Sequence, residues 1–137
     1  MRLSLVGLGH VGVCLSSCLA SEGHRVVGAD LDADKVKMIN SGKSPVFEPG
    51  LQDLLAKAVS NGSFRCVTET KEAVLDSDVT FVAVGTPSLR GGGIDLKFVK
   101  AALRNISRAL REKSGFHLVV VSSTVTPGTT EFVAQPI

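Results

Sequence analysis

The sequence predicts an α/β fold: a doubly wound parallel sheet of strand order 3-2-1-4-5 with helices on both faces. Three observations carry that expectation. Short β-rich apolar runs alternate with helix-spaced apolar patterns along all 137 residues, the pattern of a parallel sheet covered by its crossover helices. The runs are continuous, as strands buried on both faces require. The first run ends in a glycine-rich turn, Gly7-Leu8-Gly9-His10-Val11-Gly12, that opens a helix, and right-handed crossovers then favour the order named.

The elements follow in turn. Arg2–Val6 is a short apolar strand. The helix after the glycine turn sets Val11, Leu15, Cys18 and Leu19 on one apolar stripe. Gly12, Ser16 and Ala20 form a second row, small enough for close approach to a sheet, and Gly23 stops the helix. Residues 25–30 make the second strand, ending in Asp30. Asp32 is placed to cap a helix running through Asn40, which Gly42 ends. Residues 43–50 are a loop stiffened by Pro45 and Pro49.

Leu51, Leu54, Leu55, Ala58 and Val59 are spaced for a helix that Asn61-Gly62 terminates. Phe64–Val67 is a brief third strand towards an edge, and residues 71–77 suggest a short helix. Residues 79–84 are an uninterrupted apolar strand leading into Gly85-Thr86-Pro87. Beyond the glycines at 91–93, Asp95 is expected to cap a long helix marked by Val99, Ala102, Leu103, Ile106 and Leu110. Leu118–Val121 is the fifth strand, and residues 126–129 turn into a final helix. The whole reads as one domain, residues 1–137, with no repeat or linker.

Composition removes several classes of function. A net charge of +2, with scattered basic residues and no Trp or Tyr, supplies neither the basic patch nor the stacking platforms of a nucleic-acid binder. No apolar run approaches the roughly 18 residues of a membrane span. The apolar start lacks the length and cleavage site of a signal peptide, so a cytoplasmic location is expected. Three cysteines argue against a disulfide framework. Cys14 and Cys18 share a helix face without further ligands at metal-binding spacing, and are expected to be small buried residues against the sheet.

The glycine turn carries the chemistry. In G-x-G-x-x-G, Gly7 permits the tight turn out of the strand, Gly9 lets a pyrophosphate approach the backbone, and Gly12 lets helix and strand pack closely. The helix beyond offers free N–H groups and a partial positive charge to phosphates. Asp30, at the end of the second strand, completes the Rossmann-type dinucleotide signature. Its carboxylate is placed to accept bonds from both ribose hydroxyls and to repel a 2′-phosphate, so NAD rather than NADP is the expected cofactor. Lys35, one turn into the next helix, reads either as a cofactor contact or as a solvated lysine. Thr86 and Thr124 stand at the sheet edge where ligands bind in open α/β sheets, or serve only as turn residues. His10, His24 and His117 are dispersed, with no nucleophile–base–orienter set.

Four strings occur in order: Val6-Gly7-Leu8-Gly9-His10-Val11-Gly12; Gly42-Lys43-Ser44-Pro45 with Glu48-Pro49-Gly50-Leu51; Val84-Gly85-Thr86-Pro87-Ser88; and residues 123–130, Ser-Thr-Val-Thr-Pro-Gly-Thr-Thr. With them the chain resembles the UDP-glucose/GDP-mannose dehydrogenase family across essentially its whole length. Residues 76–79 and 111–114 resemble the GDP-mannose 6-dehydrogenase branch. The resemblance implies an NAD-dependent oxidation of a sugar C6 alcohol to a carboxylate in two hydride transfers, supplying polysaccharide biosynthesis. It implies that His10 and Val11 contact the pyrophosphate, that Asp30 and Lys35 hold the adenosine end, and that Thr86 and Thr124 line the site. Thr124 would lie near the reacting centre. His10 replaces the aromatic residue common at its position.

The family's catalytic thiolate, with its lysine and acidic helpers, belongs to segments that match nothing here, and Cys14, Cys18 and Cys66 do not occupy its motif. The expectation is therefore an N-terminal NAD-binding domain, part of a longer homo-oligomeric protein that takes a nucleotide sugar elsewhere, and inactive alone. Two other readings stand beside it: a stand-alone NAD-binding or redox-sensing module, and a domain binding S-adenosylmethionine.

Overall fold

The computed structural model describes residues 1–137. Five strands, β1 (Arg2–Val6), β2 (Arg25–Ala29), β3 (Phe64–Val67), β4 (Val79–Val82) and β5 (Leu118–Val121), form one parallel sheet of order β3-β2-β1-β4-β5. The helices between them are α1 (His10–Ser21), α2 (Ala33–Asn40), α3 (Leu51–Ser60), α4 (Thr70–Leu75) and α5 (Lys97–Leu110). No helix is long and apolar enough to cross a membrane.

Successive side chains on a strand face opposite ways, and β1 shows how that builds two cores. Leu3 and Leu5 join a cluster with Val13 of α1, Ile39 of α2 and Leu55 of α3. Val6 joins a second cluster on the other face, with Val74 of α4 and Val99, Leu103 and Ile106 of α5. Ser4, fully buried on β1, is satisfied by hydroxyl partners instead. Its Oγ lies 2.7 Å from Thr80 Oγ1 and accepts from Ser77 Oγ at 2.9 Å, while Thr80 Oγ1 lies 2.8 Å from His117 Nε2. At the sheet edge the Asn40 amide donates to the Cys66 carbonyl at 2.9 Å and accepts from the Cys66 amide at 2.8 Å. One side chain thus fastens the end of α2 to β3.

Several expectations need correction. The apolar stripe expected on α1 is not its buried face: Val11 and Cys18 are exposed, and Leu15 and Leu19 only half-buried. The sheet takes the small row Gly12, Ser16 and Ala20, with Val13 and Ser17 beside it, because the Gly12 contact draws the helix close, while Leu15 and Leu19 pack at the margin of the core. Ser16 and Ser17 return their hydroxyls to the Gly12 and Val13 carbonyls of their own helix. The expectation of buried cysteines therefore fails for Cys18, and Cys14 is only half-buried.

Asp95 is not the N-cap of α5. Leu96 is, although Asp95 Oδ1 accepts from the Lys97 amide at 2.9 Å. Pairing of β4 stops at Val82, after which the Ala83 amide still donates to the Val6 carbonyl at 2.8 Å and the chain bends over the glycine turn. Helix α4 starts at Thr70 and ends at Leu75, and the final helix is a single π-turn, Thr130–Ala134.

Candidate dinucleotide site

The C-terminal ends of β1, β2 and β4 converge on one cleft of about 340 Å³. Its floor and near wall are the glycine turn, and each glycine has a distinct job. Gly7 has φ +97°, and a Cβ there would stand 2.8 Å from the Ala83 carbonyl oxygen. At Gly12 a Cβ would overlap the Gly7 carbonyl oxygen. Gly9 is the opposite case: a Cβ there would meet no atom within 4 Å. The backbone is therefore bare and open at Gly9, directly before α1. No side chain caps that helix, so its first-turn amides remain free for an anion.

Asp30 follows β2 directly and closes the turn from the side. Its Oδ2 accepts from the Leu8 amide at 2.8 Å and from Lys35 Nζ at 2.8 Å, and its Oδ1 from the Asp32 amide at 3.0 Å. Burial works to raise this carboxyl. The Lys35 ammonium and the amides of Asp32 and Leu8 outweigh burial and hold it below the ordinary carboxylate range. Lys35 reaches Asp30 because Asp32 caps α2, accepting from the Asp34 and Lys35 amides. The carboxylate is thus charged, oriented and 13% exposed at the cleft.

The structure brings Gly7, Gly9, Asp30 and Lys35 together as cleft-lining residues, with Gly85 of the β4 turn. His10 and Val11 lie on the exposed first turn of α1, and His10 Nε2 is 2.9 Å from Glu48 Oε2. Thr86 and Thr124 do not line the cleft. Thr86 is half-buried one residue beyond Gly85, and Thr124 is exposed. Its neighbour Ser123 makes the tie between strand ends, donating to the Val84 carbonyl at 2.8 Å.

The far wall contains residues that local pattern does not reveal: Thr70 of α4, and Phe98, Ala101 and Asn105 of α5. These α5 positions flank the buried stripe of Val99, Ala102 and Ile106. One signal was present in the sequence, since Phe98 is an aromatic residue that falls off the apolar stripe of α5.

No cysteine lines the cleft. Cys66 is buried against Gly28, and burial, then Asp30, pushes its thiol up to about 12. Burial, then Glu48, also raises the Cys14 thiol. No group of three or more His, Cys, Asp or Glu side chains is placed to hold a metal ion. The cleft fits a dinucleotide: open backbone and free amides for a pyrophosphate, a charged carboxylate for a ribose, and opposite them a wall that mixes Phe98 and Ala101 with Thr70 and Asn105.

The sequence matches the NAD-binding domain of the UDP-glucose/GDP-mannose dehydrogenase family over residues 1–137. It is 48% identical to a GDP-mannose 6-dehydrogenase of Pseudomonas aeruginosa, covering all of this chain and 31% of that protein. It is 42% identical to a UDP-glucose 6-dehydrogenase of Haloferax volcanii, covering 99% of this chain and 31% of the other. The fold superposes on a ternary complex of the Pseudomonas aeruginosa GDP-mannose dehydrogenase with a TM-score of 0.97 at 48% identity, over 99% of this chain and 31% of that one. The chain thus spans about a third of the length of these relatives.

Proposed function

The chain belongs to the UDP-glucose/GDP-mannose dehydrogenase family as its NAD-binding domain, and on that footing we propose that the cleft at the glycine turn is where its NAD sits. Gly7, Gly9 and Gly12, with the His10 and Val11 amides, hold the pyrophosphate. Asp30, steadied by Lys35, holds the adenosine ribose. Thr86 and Thr124 lie outside the cleft itself, and the family strings around them, at 84–88 and 123–130, support placing both further along the cofactor, with Thr124 towards the reacting centre. The observation that carries this reading is the bond from the Leu8 amide to Asp30, which joins phosphate turn and ribose carboxylate into one rigid unit.

When bound, NAD accepts a hydride. The residues of this chain bind and orient it, and none supplies a nucleophile. In the whole protein we propose oxidation of a nucleotide sugar at C6 to the carboxylate by two such transfers, GDP-mannose to GDP-mannuronate or UDP-glucose to UDP-glucuronate. The catalytic thiolate then comes from outside residues 1–137, because the cysteines here lie away from the cleft. The likeness to GDP-mannose 6-dehydrogenases supports the first substrate. A cytoplasmic homo-oligomer serving polysaccharide biosynthesis completes the proposal.

Calorimetric titration of the chain with NAD, NADP and S-adenosylmethionine in parallel tests the site. NAD binding at least tenfold tighter than NADP is expected. Equal or better NADP binding overturns the role given to Asp30, and preference for S-adenosylmethionine overturns the cofactor. Mass analysis of the native gene product tests the domain assignment, and a product of only 137 residues supports a stand-alone module instead.

A further inference from the structure

The one polar side-chain link between α1 and the loop before α3 joins two exposed residues, His10 and Glu48, at 2.9 Å. The loop does not need that link to keep its shape. Gln52 accepts from the Ser44 amide and donates to the Gly42 carbonyl, the Ser44 hydroxyl bonds to Val46, and the Leu51 amide donates to the Glu48 carbonyl. Glu48 is therefore presented by a preformed loop. His10 is the residue immediately after Gly9, where the backbone is bare.

We propose that His10 and Glu48 form a proton-operated clasp beside the pyrophosphate seat, so that a proton on His10 strengthens dinucleotide binding and its loss weakens it. This rests on the reading of the glycine turn as the place of NAD. The reason is a change of local charge. With an imidazolium the pair is neutral, and the positive member is the one in the turn. Without the proton, Glu48 is an uncompensated carboxylate beside the first residue of α1, which disfavours a ligand carrying two phosphate charges at the turn, and the loop is no longer drawn to the helix. Histidine is the side chain that changes charge between about pH 5 and 8.

The other surrounding charged and titratable groups do not pair with His10. Along α1, Cys14 is held up as a neutral thiol by burial and Glu48, and Cys18 is exposed. Across the turn, Asp30 and Lys35 are paired with each other. Lys43 of the loop and Asp53 of α3 make no ion pair with His10, whose one ionic partner is Glu48. Both members are about half-exposed, so the coupling is modest, about threefold in affinity.

The test is the NAD dissociation constant between pH 5.5 and 8.5 for the chain, His10→Phe and Glu48→Gln. Circular dichroism melts accompany it to show that the exposed substitutions leave the fold intact. The expected result is a constant about threefold or more higher at pH 8 than at pH 6 for the parent. His10→Phe should give a nearly flat profile, Glu48→Gln a slope reduced by the part carried through the loop, and the double variant should match His10→Phe. Parallel profiles for parent and His10→Phe, or a Glu48→Gln profile identical to the parent's, overturn the clasp while leaving the NAD reading intact. Absence of NAD binding at every pH in all proteins overturns that reading and the clasp with it.

Discussion

The Leu8 backbone amide donates to Asp30 Oδ2 at 2.8 Å, across 22 residues of sequence. This bond makes the middle of the glycine turn and the end of β2 a single construction. The same oxygen also accepts from Lys35, so charge, orientation and turn geometry depend on one carboxylate.

Asp30→Asn tests that dependence. The amide keeps the shape but loses the charge, so NAD affinity should fall about tenfold or more, with the preference over NADP narrowing. Stability at pH 7 should fall by about 1–2 kcal/mol, since bonds to charged groups exceed neutral ones by that order. The sign with pH follows from the depressed carboxyl. Its contribution is complete above the unfolded value of about 3.9 and is lost as pH falls through the lower folded value. Urea midpoints of parent and variant should therefore converge in strong acid; a gap that persists there would assign the effect to shape.

Gly9→Ala and Gly12→Ala should separate function from folding. A methyl at Gly9 enters open space on an extended backbone, so the melting temperature should hardly move, within about 0.5 kcal/mol. NAD affinity should nevertheless drop tenfold or more, because the methyl would occupy the path proposed for the pyrophosphate. At Gly12 the methyl overlaps the Gly7 carbonyl, and the fold should lose about 3 kcal/mol or more. Thermal melts with NAD titrations read both, and equal behaviour of the two variants would reject the division of labour.

His117 should make the fold acid-sensitive well above carboxylate pH. Burial, then Lys113, holds its imidazole below the ordinary value. In the imidazolium both ring nitrogens are donors, and Nδ1 is buried without an acceptor. The stabilising contribution of the neutral ring is complete above the unfolded value of about 6.5 and is lost as pH falls through the lower folded value. His117→Gln should flatten the fall in urea midpoint between pH 7.5 and 5. An unchanged slope would place the acid sensitivity elsewhere.

Thr80→Val removes the hydroxyl that serves both Ser4 and His117. The expected loss is about 1–3 kcal/mol, the usual cost of leaving buried polar groups unpaired. Adding Ser4→Ala should recover part of it, because the two groups share one network. Additive losses in denaturant titrations would show that the hydroxyls act independently.

Much of this architecture was legible from residue order. The apolar strands, the caps at Asp32 and the stop at Gly42, and the strand order are local chemistry repeated along the chain. So were the tight turn at Gly7 and the close packing at Gly12, because a turn conformation and a close backbone approach each leave a mark on residue type. The α1 stripe misled because spacing reports which apolar residues share a face, whereas the distance between helix and sheet decides which face is buried. Gly12 set that distance, and Ser16, Ser17 and Ala20 filled the contact.

Residue order alone therefore established the parallel sheet, the dinucleotide turn, the acidic strand end and the family resemblance, since each is written in short strings with their own backbone or charge requirements. The fold settled the rest. It joined Leu8 to Asp30, paired His10 with Glu48, built the far wall from Thr70, Phe98 and Asn105, and left Thr124 exposed outside the cleft. These relations lie between segments distant in sequence, and packing of the crossover helices on the sheet is what brings such segments together.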